Sequence, residues 1–369
     1  MLRRALVFLG LAGLAACAEA PADDTSTSSE AVSAHVKVQA NDVSFLFPLG
    51  DGLLTPDDLG RGGALLPADV YGKASAEGEG GIPGVERSRL RLVSMRLDPC
   101  FATLKPIAET PVCENQLRVV FQPPGEDAAV HALYAISREE LTSAVRAILR
   151  LRGDADLGPL GVHPLVKKEG LGGPTYAALK AIILANAGKA NLVRFTLVST
   201  SALGSAWNFR GFDVKDGVST PVEIPALPAG TKTVAFFRGF AKDQVGGDLH
   251  PVTTSADDLS LFADASKARR ATTERQRAAL DALRNVEDPA RHSPNTIDCA
   301  SCHAAQPLRA LVGERLLGVE SELLPGETSP KTAADISVHM FSYMGKTPSI
   351  HRRTVTETAT IAAYLSTQL

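Results

Sequence analysis

The five cysteines of this chain limit its fold more than any other feature, because they lie in three unlike settings. Cys17 ends an apolar leader, Cys100 and Cys113 stand in the first third of the chain, and Cys299 and Cys302 share one short motif. An odd number of cysteines in an exported chain requires a role for one that is not in a disulfide. With 44% hydrophobic and 21% charged residues, the composition excludes a disordered, collagen-like or disulfide-framework protein.

Residues 1–16 have the pattern of a bacterial secretory signal peptide. Arg3 and Arg4 precede an almost purely apolar stretch that is too short to span a bilayer. The sequence Leu14-Ala15-Ala16-Cys17 resembles the lipobox of bacterial lipoproteins, in which a signal peptidase cuts before an acylated cysteine. The resemblance implies that Cys17 carries lipid and anchors the chain to the outer membrane, facing the periplasm or the cell surface. The alternative is an ordinary signal peptide with a chance cysteine at the cut.

The motif Cys299-Ala300-Ser301-Cys302-His303 has the spacing of c-type haem attachment. Two thiols three positions apart on a helical turn can bond to the two vinyl groups of a haem, and the next imidazole can bind its iron. A structural zinc site would need a second Cys/His pair of similar spacing, and a thioredoxin-like pair would need a βαβ setting. The motif therefore predicts one covalent haem c, with Cys299 and Cys302 as attachment points and His303 as the proximal iron ligand.

The segment after the motif, residues 288–369, resembles a small class I cytochrome c. Tyr364-Leu365 stands where that family has an aromatic-Leu pair in its closing helix, and the sequence predicts this helix from Thr354, with Glu357 completing a capping box. The sequence departs from the family because it lacks the usual Met-Pro dipeptide. It also has a longer separation between the preceding helix and Cys299.

The distal iron ligand is the part of the haem site that the sequence leaves open. In the family a Met from a loop fills this position, so the resemblance implies Met344 or Met340. His339, His351 and an open position are the alternatives. A Met or His ligand is typical of an electron carrier, whereas an open position allows oxygen or peroxide chemistry. The other histidines lack metal-ligand spacing and are interpreted as surface or hydrogen-bonded side chains.

The fold class predicted for the whole chain is α+β, with a mixed N-terminal domain followed by a small all-α cytochrome c-like domain. Alternating strand patterns occur near both ends of residues 36–250, and two helices are predicted between them. A capping box of Ser137 and Glu140 opens the first helix, and Pro174 opens the second. Three stretches resemble parts of uncharacterised bacterial lipoproteins that carry a C-terminal haem motif: Leu97-Asp98-Pro99-Cys100, residues 115–121 and residues 209–214. That resemblance brings no known activity with it. The predicted organisation is listed by range as signal peptide 1–16, tether 17–35, α+β domain of unknown role 36–250, linker helix 251–287 and haem domain 288–369.

Cys100 and Cys113 follow and precede two predicted strands, residues 89–97 and 117–121. If these strands pair, the two cysteines flank the neck of one loop. In an oxidising compartment the pair is then expected to form a disulfide, which for a loop of this length contributes about 3 kcal/mol to stability. The alternative, a redox-active pair, would favour a Cys-x-x-Cys spacing.

The function expected from these patterns is single-electron transfer by a lipid-anchored c-type cytochrome. The net charge of −3 gives no general attraction to nucleic acid. The lipid anchor makes the membrane one expected partner, and electron transfer requires a redox protein as the other. The alternatives are a haem enzyme of peroxidase or oxidase type and a haem-based binding or sensing lipoprotein, so whether the chain is an enzyme stays open.

Overall fold

The structure is a computed structural model. It describes residues 37–76, 85–99, 115–200, 206–222, 233–237, 245–248, 259, 261, 265–292, 297–319, 322–328 and 338–369. Cys17, Cys100 and Cys113 lie outside these ranges, so their lipidation and disulfide assignments stay predictions.

The described residues form helices and strands in an α+β arrangement, which confirms the predicted fold class. The helices are α1 (Ala40–Val43), α2 (Ala68–Ala76), α3 (Arg138–Arg152), α4 (Pro164–Glu169), α5 (Pro174–Asn186), α6 (Ala265–Arg270), α7 (Thr273–Val286), α8 (Cys299–Ala310) and α9 (Arg352–Gln368). The strands are β1 (Ser44–Leu46), β2 (Leu59–Gly60), β3 (Gly63–Ala64), β4 (Arg91–Asp98), β5 (Gln116–Gln122), β6 (Ala129–Ala135), β7 (Leu192–Thr200), β8 (Ala206–Lys215), β9 (Val218–Pro221), β10 (Thr233–Phe237), β11 (Val245–Asp248), β12 (Phe341–Met344) and β13 (Thr347–Ile350). A short 3₁₀ helix, Arg87–Arg89, precedes β4, and a π-helical turn, Leu311–Leu316, follows α8.

Nine of the strands form one antiparallel sheet in the order β1-β4-β5-β6-β7-β8-β10-β11, with β9 also paired to β8. Neighbours along the chain are therefore mostly neighbours in the sheet, as is usual for antiparallel sheets. The pairing of β4 with β5 ends at Asp98 opposite Gln116, so the loop predicted to carry Cys100 and Cys113 does leave and enter at adjacent strand ends. β12 and β13 form a separate hairpin.

One face of the sheet is apolar across six strands. Residues that are directly opposite in an antiparallel sheet share a face, and one such row is fully apolar and buried. Its members are Phe45, Met95, Val119, Ala132, Phe195 and Phe212. Aromatic rings cover this face: Tyr71 of α2 packs on Phe195, and Tyr176 of α5 packs on Phe47, which follows β1.

The opposite face carries polar side chains on several strands, and the C-terminal part of the chain covers it. Ser94 of β4 donates a hydrogen bond to the carbonyl oxygen of Phe341 at 2.8 Å. Ser44 of β1 is hydrogen-bonded to Thr358 of α9, with 3.0 Å between the two hydroxyl oxygens. Helix α8 lies against β8 and β10. The sheet is therefore the middle layer between helices of the N-terminal region and the segment predicted as the haem domain.

Two local expectations for the C-terminal segment differ from the structure. The closing helix begins at Arg352 with His351 as its N-cap residue, so the capping box at Thr354 and Glu357 is wrong. Glu357 instead forms ion pairs with Arg96 and Arg353. The hairpin of β12 and β13 is an addition to the helices expected there.

Within the described parts of the chain, the helices are all too short or too polar to cross a membrane.

Gln122 holds the hairpin to the sheet through both ends of its side-chain amide. Its Nε2 donates to the carbonyl oxygen of Tyr343 at 2.6 Å, and its Oε1 accepts from the backbone nitrogen of Tyr343 at 3.0 Å. Gln122 is 5% exposed, so water cannot readily replace these bonds. Leaving a buried polar group unpaired costs about 1–3 kcal/mol.

We expect Gln122→Leu to lower the free energy of unfolding by about 3 kcal/mol, because it leaves two backbone groups of Tyr343 unpaired. Urea denaturation of the full chain measures the change. Gln116→Leu, at the other end of β5, is the matched control, because Gln116 is half-buried and its side chain bonds to Arg118. It should cost below about 1 kcal/mol. Equal losses for the two variants would contradict this account.

Candidate haem site

The motif cysteines and histidine lie together at the start of α8. The helix begins at Cys299 because Asp298 caps it: the Asp298 carboxylate accepts a hydrogen bond from the backbone nitrogen of Ser301 at 3.0 Å. An Asp at this position satisfies a backbone donor that has no partner inside the helix. Both thiols and the imidazole of His303 are half-buried, and the structure shows no disulfide between Cys299 and Cys302. The predicted attachment residues therefore share the first turn of one helix.

The imidazole of His303 has a defined orientation. Its Nδ1 lies 2.6 Å from the carbonyl oxygen of Val338. A carbonyl oxygen only accepts hydrogen bonds, so Nδ1 carries the proton and Nε2 has the lone pair that can bind a metal. Within the described part of the chain, Nε2 makes no hydrogen bond. This arrangement, in which the second ring nitrogen donates to a backbone carbonyl, is typical of histidines that bind metals.

Burial keeps the His303 ring neutral. Burial is the largest cause that lowers its pKa, to about 4, although the hydrogen bond to Val338 acts in the opposite direction. The ring of Phe209 on β8 lies 4.8 Å from that of His303, centre to centre. The site thus offers a neutral imidazole beside an apolar surface, which suits a metal bound to a largely apolar macrocycle.

The thiol of Cys302 is not tuned for redox exchange. Burial raises its pKa to about 11, and the nearby guanidinium of Arg353 lowers it by a smaller amount. Reactive thiols of redox-active pairs have lowered pKa values, because the thiolate is the nucleophile. The structure thus adds no support to the thioredoxin-like alternative.

A cluster of five charged side chains lies next to Cys302 on the polar face of the sheet. Arg96 contacts Glu357 at 2.5 Å and Asp98 at 3.3 Å, Arg118 contacts Asp98 at 2.6 Å, and Arg353 contacts Glu357 at 2.9 Å. Three guanidiniums face two carboxylates, so the cluster has one positive charge in excess.

Arg353 also connects the helices around the motif. Its Nη1 donates to the carbonyl oxygen of Val286 at 2.9 Å, and its Nη2 donates to that of His292 at 2.6 Å. The C-terminal end of α7, the segment before α8 and the start of α9 are therefore held together by one side chain.

The four candidates for the distal ligand lie at or near the hairpin. Met340 precedes β12 and Met344 ends it, and both side chains are half-buried. His351 is buried at the start of α9. His339 is buried with both ring nitrogens in hydrogen bonds. The assignment of Met344 or Met340 stays a prediction.

His339 is committed to a polar network. Its Nε2 is hydrogen-bonded to Asp127, and its Nδ1 lies 3.0 Å from the hydroxyl oxygen of Ser342. Asp127 also accepts a hydrogen bond from the indole nitrogen of Trp207 at 2.7 Å. Ser342 is 1% exposed, so the hydroxyl of this Asp-His-Ser set is buried and is not an accessible nucleophile.

His131 is not among the residues that the sequence predicts for the haem site. It lies on β6, and the centre of its ring is 6.2 Å from that of His303. Burial, followed by the effects of His303 and Arg118, lowers the pKa of His131 to about 3, so its ring is neutral. The only signal in the sequence was the polar position of His131 in an alternating strand. The sequence does not show that His303 is its neighbour, because the two residues are far apart along the chain.

These side chains form a donor set that fits a covalently held haem. The set has two thiols on one helical turn, a neutral imidazole with its Nε2 available, and an adjacent aromatic ring. Among the described residues, no three His, Cys, Asp or Glu side chains are placed to hold a metal ion together, so the zinc alternative gains no support.

No protein-family model matches this chain, and no curated protein or solved structure is significantly similar to it. The resemblance to class I cytochromes c therefore depends on the motif residues themselves.

The charge of Glu357 should stabilise the fold in a pH-dependent way. Burial alone would raise its pKa, but Arg96, Arg353 and Arg118 together lower it from 4.5 to about 2. A carboxylate with a lowered pKa contributes stability above its ordinary value and loses it as the pH falls toward the lowered value. The contribution is therefore complete above about pH 5 and decreases between about pH 4.5 and pH 2.

We expect Glu357→Gln to lower the free energy of unfolding at pH 7 by about 2–3 kcal/mol. The difference from the parent protein should decrease as the pH is lowered from 5 to 3. Glu314→Gln serves as the control, because Glu314 is exposed, and it should leave the stability unchanged at every pH. Urea titrations across this pH range would refute the account if the difference stayed constant.

Proposed function

We propose that this protein is a lipid-anchored c-type cytochrome that transfers single electrons in the periplasm or at the outer membrane. The observation that carries the proposal is the hydrogen bond between His303 Nδ1 and the Val338 carbonyl. His303 lies at the start of α8 together with the two motif thiols. That bond leaves Nε2 available to a metal and fixes the plane of the ring.

Each residue of the site has a separate role in this proposal. Cys299 and Cys302 would hold the haem through thioether bonds, and His303 would bind its iron through Nε2. Val338 holds the protonated nitrogen of His303, and Arg353 supports the segment around the motif from α9. The bound haem supplies an iron centre that accepts and releases one electron at a time.

The surroundings of the motif favour a carrier that changes little between oxidation states. His303 projects from a capped helix and is held by a backbone carbonyl, and the helix packs against a nine-stranded sheet. Ligands on regular elements with buried partners are held more precisely than ligands on loops. A redox protein partner is part of the proposal, because a single one-electron site must receive its electron from another centre and pass it on.

Covalent haem attachment is the first test of this function. We expect the exported full-length protein to retain haem in a denaturing gel and the double variant Cys299→Ala, Cys302→Ala to lose it completely, because thioether bonds form at these sulfurs. The control is His163→Ala, at the start of α4 on the other face of the sheet, which should keep the haem. A parent protein without covalent haem would rule out the cytochrome function.

Carbon monoxide binding distinguishes a carrier from a haem enzyme or a sensor. A carrier whose iron has protein ligands on both sides should show a reversible one-electron redox titration and no ready binding of carbon monoxide when reduced. Rapid carbon monoxide binding by the reduced parent protein would instead support the peroxidase, oxidase or sensor alternatives.

The lipid anchor is testable independently of the haem. We expect Cys17→Ser to abolish incorporation of labelled fatty acid and to release the protein from the membrane fraction, because the acyl chains supply the attachment. Cys113→Ser is a matched cysteine control and should stay labelled. Labelling that persists in Cys17→Ser would contradict the anchor.

A further inference from the structure

The imidazoles of His131 and His303 come together from two different layers of the fold. His303 projects from α8, and His131 projects from β6 in the middle of the sheet, between β5 and β7. Their ring centres are 6.2 Å apart and their planes are inclined by 55°. Within the described part of the chain, neither nitrogen of His131 makes a hydrogen bond, and Nε2 of His303 makes none.

We propose that His131 is the second axial ligand of the haem iron, opposite His303. The inference rests on the proposed cytochrome function and adds to it the identity of the distal ligand. In this proposal the distal ligand is a histidine of the N-terminal sheet and not a methionine of the C-terminal segment.

The separation of the rings is the one that a single metal between two imidazoles requires. An imidazole nitrogen binds a metal at about 2 Å, and the centre of the ring lies about 1 Å behind that nitrogen. Two imidazoles on opposite sides of one metal therefore have their centres about 6 Å apart. Rings in face-to-face contact would be nearly parallel, whereas these are inclined by 55° and need not stack.

The chemical state of both rings suits this role. Metal-bound histidine is neutral at the nitrogen that binds, and burial favours the neutral form of both imidazoles at neutral pH.

The direction of the His303 ring argues against the residues next to Val338 as distal ligands. Val338 binds the Nδ1 side of the ring, which is the side away from the metal. Met340 is only two residues further on and so lies within about 7 Å of Val338 along the chain. A haem bound to Nε2 would lie on the opposite side of the His303 ring from Val338. His339 is excluded more directly, since both of its ring nitrogens are already hydrogen-bonded.

Met344 is the competing ligand that the test must separate from His131. It lies at the far end of β12, beside the hairpin turn, where the argument from Val338 does not apply. A thioether ligand raises the reduction potential and gives ferric haem a weak far-red absorbance band, whereas a second imidazole gives a lower potential and no such band.

The experiment compares ferric absorbance and near-infrared magnetic circular dichroism of the full-length holoprotein and its variants. We expect the parent to show a low-spin spectrum without the far-red methionine band. His131→Ala should lose the low-spin spectrum and bind carbon monoxide when reduced, and added imidazole should restore the low-spin spectrum. Met340→Leu and Met344→Leu are the matched controls and should be unchanged.

A second substitution covers the case in which His131→Ala yields no holoprotein. His131→Met keeps a ligand at this position, so it should stay low-spin, gain the far-red band and have a higher reduction potential than the parent. A change of this kind reports ligand identity, which a purely structural role of His131 would not alter.

The outcomes separate this inference from the function on which it depends. A far-red band in the parent that disappears in Met344→Leu or Met340→Leu overturns the inference, as does an unchanged spectrum in His131→Ala, and in both cases the cytochrome function stands. A parent without covalent haem overturns both.

Discussion

The polar face of the central sheet must be covered by a layer that pairs its hydrogen-bonding groups. Gln122, Ser94 and Arg96 are all buried on strands of this face, and each would cost about 1–3 kcal/mol if left without a partner. Their partners are Tyr343, Phe341 and Glu357, all from the last thirty or so residues of the chain. Because hydrogen bonds depend on direction, this layer has few ways to lie on the sheet, unlike a layer held by apolar contact alone.

The two faces of the sheet thus have different tasks. The apolar face builds an ordinary core, in which aromatic rings such as those of Phe195 and Phe212 stack at 5.1 Å. The polar face receives the motif helix and the hairpin and contains the charged cluster that includes Arg118 and Arg353. Placing charges beside a half-buried thiol is unfavourable unless they are paired, and here each carboxylate contacts two guanidiniums.

Local patterns in the sequence were sufficient for elements whose partners are close in the chain. The capping box of Ser137 and Glu140 marks the start of α3, and Pro174 marks the start of α5, as the structure confirms. Alternation located β4 and β5, which pair with each other. In each case the determining interaction joins residues that are near each other in sequence.

The start of α9 and the position of His131 beside His303 could not be predicted from local patterns, because the residues that determine them are far apart in the sequence. Glu357 has the spacing of a helix cap with Thr354, but ion pairs with Arg96, 261 positions away, and with Arg353 are available to it. Glu357 therefore lies in the second turn of a helix that begins at Arg352, two residues before the predicted start. His131 was equally invisible, since nothing in its own strand indicates that a histidine from α8 lies opposite.

The proposed ligation gives the larger N-terminal region a physical reason to be present. If one iron ligand comes from α8 and the other from β6, the haem joins the motif layer to the sheet, and neither layer provides a complete site without the other. The backbone of an interior strand cannot shift without breaking ladder hydrogen bonds on both sides, which β6 makes to β5 and β7. The iron would then keep the same surroundings in both oxidation states, as one-electron transfer requires. The sheet would act as the rigid half of the haem pocket, which a small all-α cytochrome builds from its own loops.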